Sequence, residues 1–413
     1  MNRGGKSLSR VSAFAPAPPE LGERGWPSGP VAFLSRGFRP FFLGAGVWAI
    51  VSAGPTSGLP WPDHTNLFAA ADASSHARES LFGYGWALLA GFLLTAVPNW
   101  TGRRPLVGLP LLCVFLLWVA GRATLVFADG ITFIGSVVAE ICFLSAIVLL
   151  TARDVITSRN RRNLKTVGLV GLFAAANVWF LLAEFTGADA RQAIRLGVAA
   201  LIGLVMLING RVAPYFAREW LIARTAGRLP SPFDRYDTVA LAIAAFALAA
   251  WSVVPDASVT AVLLATAGLA HVVRLARWAG RAVWRQPMIL VLYVGYGFVA
   301  LGFVLMAAAT LAPHLVDPMA ALHAWTSGAI GVTGIGIMTR AARSHTGRCV
   351  SASPLTILAY GSVVLAALLR IAGGNVPEWS WTLFAAAALW IAGHAAFLIE
   401  YAPMLLAGRV NRS

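Results

Sequence analysis

Two stretches of the chain open on His-Ala and close on Thr-Gly-Arg about one membrane crossing later, His76 to Arg103 and His323 to Arg348. Between those ends each stretch is almost purely apolar and rich in glycine. An ionisable side chain is costly in such a helix unless it is paired or functional. Two imidazoles on facing helices can take opposite faces of a porphyrin, which makes His76 and His323 candidate axial ligands of a bis-histidine haem, b-type by expectation. A helix from His323 to His345 is about 33 Å long, so those two cannot bind one ion. On helix 2, Glu79, Ser80 and Gly83 follow His76 at i+3, i+4 and i+7, which puts a carboxylate on the histidine's face. Glu79 and, at the other end, His345 are secondary metal-ligand candidates. On helix 10, Thr326 and Ser327 follow His323, with Gly328, Gly331, Gly334 and Gly336 beneath. These glycines are expected to leave room for a flat ring, or else to permit close helix packing without a cofactor.

The elements that must position these residues follow from composition. The chain has 413 residues, 58% of them hydrophobic and only 12% charged, with a mean hydropathy of +0.73. Soluble globular domains do not reach such values, so an all-α integral membrane protein is predicted. Apolar runs long enough to cross a hydrocarbon core about 30 Å thick predict about 12 transmembrane helices. They fall near 40–55, 79–98, 106–121, 131–152, 166–187, 195–215, 237–254, 257–276, 288–311, 319–339, 354–372 and 379–402. Residues 31–413 then form a single polytopic membrane domain in the lipid bilayer. Residues 1–30, basic and proline-rich, read as a disordered cytoplasmic tail.

The net charge of +15 invites a nucleic-acid partner, but the basic residues do not form one patch. All but five of the 32 Lys and Arg fall in the tail and in alternate loops, the exceptions being Arg78, Arg122, Arg191, Arg195 and Arg370. The positive-inside rule explains that pattern without nucleic acid and places both termini in the cytoplasm. Cys113, Cys142 and Cys349 lack a CxxC pairing and read as packing residues, not as a disulfide framework or a thiolate site.

Helices 2, 6 and 10 are four apart, and helix 6 ends in Gly210-Arg211. Three four-helix arcs would set those three in equivalent places. Other ionisable groups have plainer readings. His394 and Glu140 sit mid-helix, where a neutral histidine bonded to a carbonyl and a protonated glutamate are expected. His271, near Arg274, Arg277 and Arg281, reads as a snorkelling interfacial residue. His64 and His314 are outer-loop candidates for a second metal. Arg36, Arg39, Arg103, Arg104, Arg211, Arg340, Arg343 and Arg348 are assigned to lipid phosphates and topology. The competing role, beside Asn99, Trp100 and His345, is to hold an anionic ligand or haem propionates.

Several strings resemble the NnrS family. They are Gly37-Phe-Arg-Pro-Phe-Phe-Leu43, Leu81-Phe-Gly-Tyr84, Gly91-Phe-Leu-Leu-Thr-Ala-Val-Pro-Asn-Trp-Thr-Gly-Arg103, Arg159-Asn with Arg162-Asn-Leu164, Gly210-Arg-Val with Pro214, and Met338-Thr-Arg340 with His345-Thr-Gly-Arg348. The resemblance implies a bacterial inner-membrane protein of the nitric oxide or nitrosative-stress response, associated with haem and copper, with nitric oxide or a related small molecule as ligand. The departures fall where metals would bind. The family reads Trp-His-Ala-His-Glu-Met where this chain reads Ser75-His76-Ala77-Arg78-Glu79-Ser80, and it often has a histidine where Leu181 follows Asn177. Haem is therefore still expected and copper is disfavoured. A looser similarity is to subunit I of the haem-copper oxidases, whose low-spin haem is held from helices 2 and 10. Helices 6 and 7 here contain no histidine for the copper of that plan. The competing functional classes are a twelve-helix secondary transporter, for which glycine-rich helix 10 is the candidate discontinuous helix, and a metal-free sensor or scaffold. Neither a reaction nor an electron donor is legible.

Overall fold

The computed structural model describes residues 30–53, 73–122, 130–225, 227–278, 280–379 and 381–408. The predicted tail and the 54–72 loop with His64 lie outside them. After a short turn at Pro30–Phe33, twelve helices follow: α1 (Phe38–Ala53), α2, α3 (Leu109–Ala120), α4 (Gly130–Thr157), α5 (Leu164–Thr186), α6 (Arg191–Ile222), α7 (Arg235–Val253), α8 (Ser258–Trp278), α9 (Pro287–Leu311), α10, α11 (Pro354–Asn375) and α12 (Trp381–Leu406). Helix α2 is composite, running Ala73–Ala77, Arg78–Tyr84 and Gly85–Thr101, and so is α10, running Pro318–His323, Ala324–Val332 and Thr333–His345. Among the described residues there is no strand, and nine helices are long and apolar enough to cross a membrane.

Apart from α2 and α3, which meet through Trp118 and Gly83, neighbours in sequence pack against one another, and the ring closes with α12 against α1. Inside it, α6 touches both α2 and α10, and α9, as enclosed as α6, packs on α6 and α10. Helix α2 is the most enclosed of the nine. Helices α2 and α10 run in the same direction, since Gly334 of α10 packs on Tyr84 and Leu88 of α2 and, farther along, Asn99 and His345 line one cavity.

The glycines of α10 give the reason for that tight fit. A Cβ on Gly328 would lie 2.4 Å from the Phe298 ring, and one on Gly331 would lie 2.7 Å from Trp390. On Gly336 it would meet Val291 at 2.8 Å. Apolar lipid offers little hydrophobic drive between helices, so close backbone approach and dispersion hold them together. The room left by these glycines is taken by side chains of neighbouring helices rather than by a space for a ring.

Candidate functional site

In both composite helices the π-helical stretch begins just after the histidine, at Arg78 following His76-Ala77 and at Ala324 following His323. Wider π turns recur at functional sites. They also leave carbonyls that the α pattern would not place, and Gly83 O in the first stretch accepts from Trp118 Nε1 at 3.0 Å.

The start of α10 is built locally. Pro318 stands in its first turn, Asp317 Oδ1 caps Ala320 N at 2.7 Å, and Asp317 N donates to Asn375 Oδ1 at 2.8 Å, at the end of α11. A proline there loses no helical bond, and a capping carboxylate satisfies an otherwise orphan N–H. The tie to α11 brings Arg370 to His323, where Arg370 Nε donates to His323 Nε2 at 3.3 Å. His323 Nδ1 meets Met319 O at 2.7 Å. Because a carbonyl only accepts, Nδ1 carries the proton and Nε2 carries the lone pair. His76 Nδ1 lies 3.4 Å from Ser80 Oγ.

Beside His76 is a buried charge network that the sequence did not disclose. Arg122, at the end of α3, donates to Glu79 Oε2 at 2.9 Å and pairs with Glu140 of α4. Trp48 Nε1 donates to the same Glu79 oxygen at 3.0 Å. Arg78 reaches Glu140 at 3.4 Å and Glu184 at 3.4 Å. Asn177 Nδ2 donates to Glu140 Oε1 at 3.0 Å, and Trp86 Nε1 donates to Asn177 Oδ1 at 2.9 Å. Arg78 and Arg122 are 4% exposed and Glu79 and Glu140 2%. Glu140 is thus not a lone carboxyl, since two guanidiniums and an amide surround it. Arg78 and Arg122 are internal counter-ions rather than loop charges. Glu79 is engaged by Arg122 and Trp48, and Leu181 is buried one turn after Asn177.

His345 lies at the opposite end of α10, its ring 5.4 Å from that of Phe38. His394 Nδ1 bonds Trp390 O at 2.9 Å, as a neutral mid-helix histidine should. His271 does not snorkel. It is fully buried, meets Tyr296 Oη through Nδ1 at 2.8 Å and stacks on Phe303. Arg274, also buried, pairs with Asp237 at 2.7 Å and with Tyr296. A carboxylate and a phenol inside the helix group offset the cost of burying that arginine, so neither residue needs the interface. The cytoplasm-assigned arginines are likewise more engaged than lipid contact requires. Arg39 donates to Leu405 O at 2.8 Å at the end of α12, and Arg343 pairs with Glu400. All three cysteines are exposed rather than packed, and His314 is exposed in the loop before α10.

The protein-family model described as NnrS protein matches residues 32–409, nearly the whole chain. The chain belongs to the NnrS family. It is therefore a multi-pass membrane protein of the NnrS type, and no curated protein matches it. In this NnrS protein the residues available to a haem are the two histidines. The tautomer of His323 makes Nε2 the atom that would coordinate, because the carbonyl holds Nδ1–H and orients the ring, and ligation there would displace the Arg370 N–H that Nε2 now accepts. The glycines do not add to the fit, since Gly83 faces Trp48, Arg122 and Glu79, as the α10 glycines face Phe298 and Trp390. Among the described residues no three His, Cys, Asp or Glu side chains converge as a metal site.

Proposed function

We propose that this NnrS protein binds a haem through His76 and His323 and acts in the bacterial response to nitric oxide or nitrosative stress. The observation that carries the reading is the matched placement of the two histidines, each just ahead of the π-helical stretch of α2 or α10, together with the His323 tautomer that Met319 O fixes. A bound haem would supply an iron whose ligation and potential its axial ligands set. What the chain contributes is orientation: Met319 O holds one imidazole, Ser80 leans on the other, and Arg370 is the cation that ligation by His323 Nε2 would displace. Copper is not part of the proposal, because Arg78 and Leu181 stand where the family carries imidazole. The transporter reading is less well supported, since α10 continues through its π turn from Pro318 to His345 instead of unwinding.

The test is an absorption spectrum of protein purified in detergent after expression with ample haem. A Soret band that His76→Ala and His323→Ala each abolish is expected, and colourless wild-type protein overturns the reading. For orientation, we propose an inner-membrane protein with cytoplasmic termini, supported by the loop bias of Lys and Arg. Exposed Cys349, in the loop after α10, reports on it. With Cys113 and Cys142 changed to Ser, a membrane-impermeant maleimide should label inverted vesicles and not intact spheroplasts.

A further inference from the structure

A cavity of about 130 Å³ opens at the basic end of the bundle, between α1, α2, α6, α9 and α10. It is distant from His76 and His323, which stand at the other ends of α2 and α10. Its walls are mainly apolar, with Phe38, Phe42, Phe92 and Ile337 among them, and Asn99 and Arg340 bring polar groups to it.

Arg340 separates this cavity from a packing defect. Its guanidinium lies over the Phe216 ring at 3.5 Å from the centroid. Among the described residues no carboxylate comes within ion-pair distance of it, and its charge is sensed by the phenols of Tyr360 and Tyr215. Arg343, one turn along the same helix, has Glu400, and Arg274 has Asp237. A half-buried cation without an anion is costly, and the ring face offsets only part of that cost. A guanidinium stacked on an aromatic face keeps its N–H fork at the edge, the arrangement that grips a carboxylate by two parallel hydrogen bonds. Cavities of about 150 Å³ accept a benzene ring, as is known from an engineered lysozyme, so the volume suits a compact body with one anionic group.

We propose that this cavity is a binding site for a small organic carboxylate, with Arg340 taking the carboxylate and the phenylalanines taking its apolar body. Asn99 supplies a neutral polar partner at the mouth. A free inorganic oxyanion satisfies the cation but leaves the apolar wall unused. A lipid phosphate brings a chain too long for the volume.

The probe is benzoate, titrated calorimetrically into the full-length protein in nanodiscs of neutral phosphatidylcholine. Saturable binding is expected, weakened at least tenfold by Arg340→Gln. Ala341→Phe, which fills the cavity while keeping the cation, should weaken it to a similar degree, and it covers the case in which Arg340→Gln does not fold. His323→Ala should bind benzoate like the wild type, so the result stands apart from the haem reading. Three results overturn the proposal: no saturable benzoate binding, equal binding by Arg340→Gln or Ala341→Phe, or inorganic phosphate competing with benzoate as strongly as cyclohexanecarboxylate does.

Discussion

His76 and His323 enter their helices in the same way, each followed by a π-helical stretch, yet their surroundings are built from different materials. Around His76 the next residues are ionic, with Arg78 and Glu79 committed to Arg122, Glu140 and Glu184. Around His323 the next residues are small or aromatic, with Trp325 donating to Val299 O at 3.1 Å and lying over Gly302, and Gly328 under Phe298. The segment that follows one histidine is anchored through charge, and the segment that follows the other through contact. Helix α2 packs its polar groups inward because it is the most enclosed helix, so its charges must find one another. At the His323 end of α10 a neighbour supplies the cation, Arg370 of α11.

The sharpest way to break the contrast is on the ionic side. Arg122→Ala leaves Glu79 and Glu140 without their nearest guanidinium, and breaking such a buried pair costs about 3–5 kcal/mol. The expected outcome is a collapse in the yield of monodisperse protein on size exclusion. On the packing side, Gly302→Ala puts a Cβ 2.2 Å from Trp325. Overpacking of that kind costs about 1–3 kcal/mol, read as a lower melting temperature in detergent with the yield largely kept. The smallest effect is expected from Arg370→Gln, which perturbs a single long hydrogen bond worth about 1 kcal/mol or less. Its fold and melting should hold, while haem, bound at His323 as proposed, should titrate in more tightly by Soret absorbance because Arg370 no longer competes for Nε2. If Arg122→Ala melts like Gly302→Ala, the division into charge and contact fails.

The helices were legible because hydropathy is a local property: twelve apolar runs became twelve helices, with starts matched to within a residue where Asp317 and Ser353 cap them and other edges displaced by up to seven residues, as at Ile222. The importance of helices 2, 6 and 10 was legible from spacing. What the sequence concealed were partnerships between distant positions. Glu79, Arg122, Glu140 and Asn177 belong to different segments, and taken singly Glu79 looked like a metal ligand, Arg122 like a loop charge, Glu140 like a lone mid-membrane acid and Asn177 like a family marker. His271 was misread for the same reason: Arg274 beside it suggested the interface, whereas Asp237 and Tyr296, on other helices, hold the arginine inside. At the cavity, Arg340 looked like one more topology signal because nothing local says that its neighbours hold no carboxylate. The π turns had no local signature either.

A turn of α-helix advances about 100° per residue. Each π stretch therefore works as a phase adjuster, setting the bearing of the histidine ahead of it independently of the face the remaining helix presents to the bundle. Deleting Leu81 or Ser327 would let the ladder close as ordinary α-helix and would swing His76 or His323 about a quarter turn around its axis. The apolar faces farther along would keep their places. By that reckoning, the aim of the two imidazoles depends on a residue count, and a one-codon deletion changes it without replacing a single side chain that either imidazole has been argued to need for ligation.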